Sequence, residues 1–195
     1  MNKGRLEAFS DGVLAIIITI MVLEMKAPED TSIKSLLPTI PIFLSYVLSF
    51  IYIAIYWVNH HHLFQATEKI NTAVLWANMH LLFWLSLIPF TTSWMGENHL
   101  ESIPVAFYGG ALFMSGFAFR LLEMALIHSH NRQAPLVKTI QRGYKEKISI
   151  IAYLIGIPMA FVHIAIPIAC YIFVALLWVI PNHKLVNAIS EKREE

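Results

Sequence analysis

The stretch RLEAFSDGVLAIIITIMVLEMK, Arg5 to Lys26, decides the fold. From Val13 to Leu23 its only polar side chain is Thr19, and about 20 such residues suffice to cross the hydrocarbon core of a bilayer. Lys3 and Arg5 ahead of the run superficially copy a secretory signal peptide. The run leads, however, into Glu24, Met25, Lys26, Ala27 and Pro28, which is no small-residue cleavage site, so the segment reads as a retained first spanning helix.

The rest of the chain keeps returning to the membrane. Of 195 residues 57% are hydrophobic and 14% charged, whereas a soluble domain carries about a quarter charged residues. Six helices of about 20 residues would use roughly 120 and leave about 75 for connections, which excludes a sizeable catalytic domain outside the membrane; no enzyme and no cofactor are expected. A net charge of +1 argues against a nucleic-acid partner. The single Cys170 excludes both a disulfide scaffold and a Cys-based metal cluster, and within its apolar run reads as a small core residue.

The expected fold is all-α and polytopic, one domain over 1–195 with six transmembrane helices near residues 6–25, 37–61, 70–94, 105–128, 148–161 and 165–181. Pro158 and Pro167 make a reversal between Phe161 and Pro167 cheaper than one over-long helix. The connections alternate in charge as six spans require. Lys3 and Arg5 precede the first helix; the loop with Glu97 and Glu101 has no basic residue; the next holds Arg132, Lys138, Arg142, Lys145 and Lys147. Both termini are therefore expected in the cytoplasm, which the tail residues Lys184, Lys192 and Arg193 support.

Polar residues at membrane depth are costly and carry information. Arg5, Ser10 and Asp11 open helix one; the simplest reading makes Ser10 or Asp11 an N-cap with Arg5 snorkelling to the interface. WVNHHHLF closes helix two. His60, His61 and His62 point about 100° apart, so they cannot ligate one metal, and the spacing of a helical metalloprotease is absent. Asn78 and His80 in helix three, with Arg120 and Glu123 in helix four, read as helix-to-helix glue. In helix one, Ile16, Thr19, Ile20 and Leu23 share a face; Thr19 either back-bonds to its own helix or faces an aqueous path.

The string RLEAFSDGVLAIIITIMVLEMK, with its Arg-x-x-x-Phe-Ser-Asp core, resembles the first-helix signature of the transmembrane protein 175 potassium channel family, and Trp57 with His60 and His61 adds to the likeness. The resemblance implies a bacterial single-repeat member, a homotetramer in the cell membrane with four copies of helix one around a central pore. It implies a potassium-selective cation channel with an aliphatic constriction at Ile16, a hydroxyl layer at Thr19 and further aliphatic positions at Ile20 and Leu23, potassium being only the permeant. It also implies that Arg5, Phe9, Ser10 and Asp11 brace helix one against the next two helices, through Trp57, His60 or His61, and Asn78. The TVGYG carbonyl filter is absent, consistent with a different mechanism.

Two readings from other classes stand beside it. A haem-binding redox subunit would use His80 and His163, the histidines expected well inside spans. A secondary ion transporter would show paired helix interruptions in two related halves, and the breaks here cluster near Pro158 and Pro167. The three adjacent histidines also invite a pH-sensing reading.

Overall fold

Caps and prolines set the element boundaries. In the computed structural model, which describes residues 2–28, 30–65, 67, 70–129 and 144–179, α1 runs Lys3–Leu23. Asn2 is its N-cap, its side chain accepting from the Gly4 backbone N–H at 3.2 Å. Ser10 and Asp11 therefore lie inside the helix, which corrects the capping role expected of them.

A 3₁₀ segment, Ile33–Thr39, leads into α2, Ile40–Gln65. Pro41 falls in the first turn of α2, where its missing N–H has no helical partner to lose. Because α2 continues to Gln65, the three histidines sit inside the helix, in its last two turns. α3, Thr72–Ser86, is capped by Asn71, which accepts from the Val74 N–H at 3.0 Å. The single third span expected to about residue 94 is broken at Leu87, and α4 runs Ile88–Glu97. Pro89 is the cause, since it cannot donate to the preceding turn and its ring crowds it.

A turn through left-handed His99 and Leu100 (φ 49° and 61°) joins α4 to α5, Ser102–Ser129. α6, Tyr144–Met159, reverses at residues 160–164 into α7, Ala165–Val179, with Pro167 in the first turn of α7. His163, expected inside a span, is exposed in this turn, where its Nδ1 accepts from the Ala165 N–H at 3.2 Å. The basic positions Arg132, Lys138, Arg142, Lys184, Lys192 and Arg193 lie outside the described residues.

No strand occurs among the described residues. Lys3–Leu23, Ile33–Gln65, Thr72–Glu97 and Ser102–Ser129 are each long and apolar enough to cross a membrane, and the protein is multi-pass. α6 and α7 have 16 and 15 residues and pack on each other as a hairpin. At 1.5 Å per residue they reach about 24 and 22 Å, short of the roughly 30 Å hydrocarbon core. α1 packs against α2, α3 and α4, while α3 and α6 both pack on α5.

Lipid is as apolar as a leucine side chain, so helix contact here depends on close packing and polar links more than on exclusion of water. Gly96 illustrates the first. A Cβ added there would lie 2.8 Å from the Ile42 Cα, so α4 and α2 touch backbone to backbone. Gly96→Ala must push the two helices apart and is expected to cost about 2 kcal/mol, read as a lower thermal midpoint of the purified protein. An unchanged midpoint would show that this contact is looser than its geometry.

Candidate functional site

α1 has two unlike sides. Leu6, Ser10, Leu14, Ile17 and Met21, spaced three or four apart, are buried against the other helices. The opposite stripe runs through Arg5, Phe9, Gly12, Ile16, Thr19, Ile20 and Leu23, all exposed. The contrast is sharp between neighbours: Ile17 is 3% exposed and Ile16 58%.

The inner side is held by a polar network in two branches. In the first, the Asn78 Nδ2 donates to Ser10 Oγ at 3.0 Å, while Asn78 Oδ1 lies 2.9 Å from His60 Nε2. That geometry asks for the His60 tautomer protonated on Nε2. Ser10 Oγ in turn donates to the Leu6 carbonyl at 2.9 Å, so one chain of bonds crosses α1, α3 and α2, and all three side chains are buried. In the second branch, the Trp57 indole N–H donates to Asp11 Oδ1 at 3.0 Å at an exposed position.

Of the three adjacent histidines, His60 alone faces Asn78. His61 is exposed, stacks on Trp57 with ring centroids 6.0 Å apart, and shares a 2.8 Å hydrogen bond with Gln65. Arg5 and Phe9 stand outside the network. Both are exposed, and Arg5 makes no ion pair or side-chain hydrogen bond among the described residues.

A further brace escaped the sequence reading: Lys3 Nζ donates to the Thr67 carbonyl at 3.0 Å, tying the start of α1 to the chain just beyond α2. Partners 64 residues apart leave no local pattern. His80, expected to link helices, instead accepts from Trp84 within α3 at 3.0 Å. Arg120 and Glu123 pair within α5 at 2.9 Å, and the link between helices is from Arg120 to Glu146 of α6 at 3.4 Å.

On the outward stripe, Thr19 Oγ1 donates to the Ile16 carbonyl at 2.8 Å. With its proton committed inside the helix, the hydroxyl oxygen presents only lone pairs outward, as a cation ligand would. Gly12 has nothing within 4 Å of where a Cβ would be, so the chain leaves open space along this stripe.

The described residues form a multi-pass helical bundle whose first helix is braced on one side and bare on the other. The chain belongs to the TMEM175 family. The family model described as endosomal/lysosomal potassium channel TMEM175 matches residues 5–89. A protein named as a potassium channel in Chryseobacterium sp. (strain P1-3) is 53% identical, covering 98% of this chain and 100% of its own. The crystal structure of a lysosomal potassium-selective channel TMEM175 homolog from Chamaesiphon minutus superposes with a TM-score of 0.78 at 28% identity, over 91% of this chain and 96% of that one. The chicken protein named endosomal/lysosomal proton channel TMEM175 is 31% identical over 71% of this chain but only 31% of its own length.

Proposed function

We propose that the chain is a potassium-favouring cation channel, a homotetramer in which four copies of α1 surround the pore and Ile16 forms the constriction. The bare stripe of α1 carries this reading. Lipid can cover isoleucine and leucine, yet it has no use for an outward hydroxyl oxygen such as that of Thr19, which suits a cation path. Open space at Gly12 supports a neighbouring copy close to α1. Four Ile16 side chains around an axis exclude water when narrow and so block ions; a small widening wets the gap and admits a cation. Ile20 and Leu23 continue the apolar lining.

Selectivity then follows from dehydration. Thr19 oxygens replace part of the hydration shell, and potassium, the larger ion, releases its water more easily than sodium. The preference is real but modest, since the site lacks a carbonyl filter. We place the protein in the bacterial cell membrane with both termini cytoplasmic. Supporting this, Lys3, Arg5, Lys145 and Lys147 lie at one set of helix ends, against Lys26 and Lys34 on the side that also carries Glu24, Glu97 and Glu101.

The test is flux through purified protein in liposomes under a potassium gradient, comparing potassium, sodium, a bulky organic cation and protons. Potassium is expected to pass best, and Thr19→Ala to reduce its advantage over sodium about threefold, roughly 0.7 kcal/mol. An unchanged ratio in that variant would remove Thr19 from the path. Saturable, counter-ion-coupled uptake would return the function to a secondary transporter, and proton flux without potassium flux would assign the conductance named for the animal relatives.

A further inference from the structure

A cavity of about 310 Å³ lies between α2, α5, α6 and α7, and no residue of α1 lines it. It is roughly twice the volume of an engineered protein cavity that holds benzene. Its two ends differ chemically. At one, Tyr153 Oη donates to Tyr52 Oη at 3.3 Å and the Phe113 ring meets Tyr153 edge-on. At the other, Arg120 Nη1 stands between Glu123 Oε2 at 2.9 Å and Glu146 Oε2 at 3.4 Å. Phe113 to Glu123 spans ten helical steps, about 15 Å.

Tyr56 is the unusual wall residue. It is 9% exposed, and a Cβ added at Gly116 would lie 3.6 Å from its hydroxyl. The hydroxyls of Tyr52, Tyr108, Tyr153 and Tyr171 are all hydrogen-bonded. That of Tyr56 has no partner among the described residues and faces the cavity. Its oxygen is accessible from the cavity space, so a molecule bound there can supply the partner in place of water.

Charge selects the class of molecule. The most enclosed charges at the cavity mouth are carboxylates: the side chains of Glu123 and Glu146 are 10% and 23% exposed and share one guanidinium nitrogen. Of the nearby lysines, Lys147 is exposed and Lys145 holds its ammonium 5.9 Å from the Trp178 ring. Aromatic walls beside enclosed carboxylates attract a cation through both charge and ring quadrupole. We propose that the cavity binds a small lipophilic amine. Its ammonium donates to Glu123 and to the Tyr56 hydroxyl, and its apolar body extends toward Tyr52 and Tyr153.

The experiment is calorimetric titration of the purified full chain with phenylbutylamine, phenylbutanol and phenylbutanoate, equal in length and different in charge. The amine is expected to bind at least about tenfold more tightly than the alcohol or the acid. Tyr56→Phe removes a hydroxyl that no group among the described residues uses; it is expected to leave the thermal midpoint unchanged while weakening the amine about fivefold. Gly116→Leu fills the cavity and is expected to abolish binding, and Glu123→Gln to weaken it about tenfold. If Glu123→Gln fails to fold, the other two variants decide. Equal affinity for all three probes, tighter binding of the acid, or wild-type affinity in both Tyr56→Phe and Gly116→Leu overturns the proposal.

Discussion

Ile16→Asn is expected to produce a channel that leaks. In liposomes, total cation flux should rise at least about tenfold, corresponding to a barrier lowered by roughly 1.4 kcal/mol, and the preference for potassium over sodium should fall. In the proposed tetramer the substitution puts four amides where four sec-butyl groups would exclude water, so the constriction would stay wet when narrow and ions would keep more of their hydration shells. Stability should change little, because Ile16 is 58% exposed. Ile17→Asn is the control: at 3% exposure it buries an amide in packed surface and should damage folding instead. Wild-type flux and selectivity from a folded Ile16→Asn protein would take α1 out of the pore.

Asn78→Ala is expected to loosen the subunit without touching the permeation path. Asn78 bonds both Ser10 and His60, and its removal leaves two buried groups on different helices without their partner. An orphaned buried group costs about 1–3 kcal/mol in soluble proteins, whereas a side-chain hydrogen bond between membrane helices averages about 0.6; for the pair together a loss of about 2 kcal/mol is reasonable. The readouts are a lower thermal midpoint and a weaker assembly, with potassium preference preserved in whatever assembles. Trp57→Phe cuts the exposed link to Asp11 and should cost well under half as much. Equal losses in the two variants would mean that the buried chain of bonds contributes nothing beyond the surface one.

The legible and illegible parts of this site divide along physical lines. That Ile16, Thr19, Ile20 and Leu23 share a face was readable from their three- and four-residue spacing. Which way the face points was not, because Ile17, Ile18 and Met21 between them are equally apolar and a membrane helix has no polar side to mark outside. Likewise the RLEAFSDG string marked Ser10 and Asp11 as special, while their position inside α1 emerged only when Asn2 proved to be the cap. Three consecutive histidines offered three directions 100° apart; the hydrogen bond across to α3 selected His60 for Asn78 and left His61 to stack on Trp57. The Leu87 break was available in principle, since Pro89 was visible in the third span.

The sequence by itself determined that the chain is helical and multi-pass, and to which family it belongs. The reason is that lipid offers no hydrogen bonds to the backbone, so a long apolar run has little choice but a helix, and the Arg-x-x-x-Phe-Ser-Asp string is a local pattern needing no partner to be recognised. Tertiary structure alone decided which side of α1 is braced, which histidine joins Asn78, that Arg120 also reaches Glu146 of α6, and that a cavity opens beside Tyr56. Each of these depends on side chains far apart in sequence meeting across helices, where apolar surface faces lipid and protein alike and periodicity is silent.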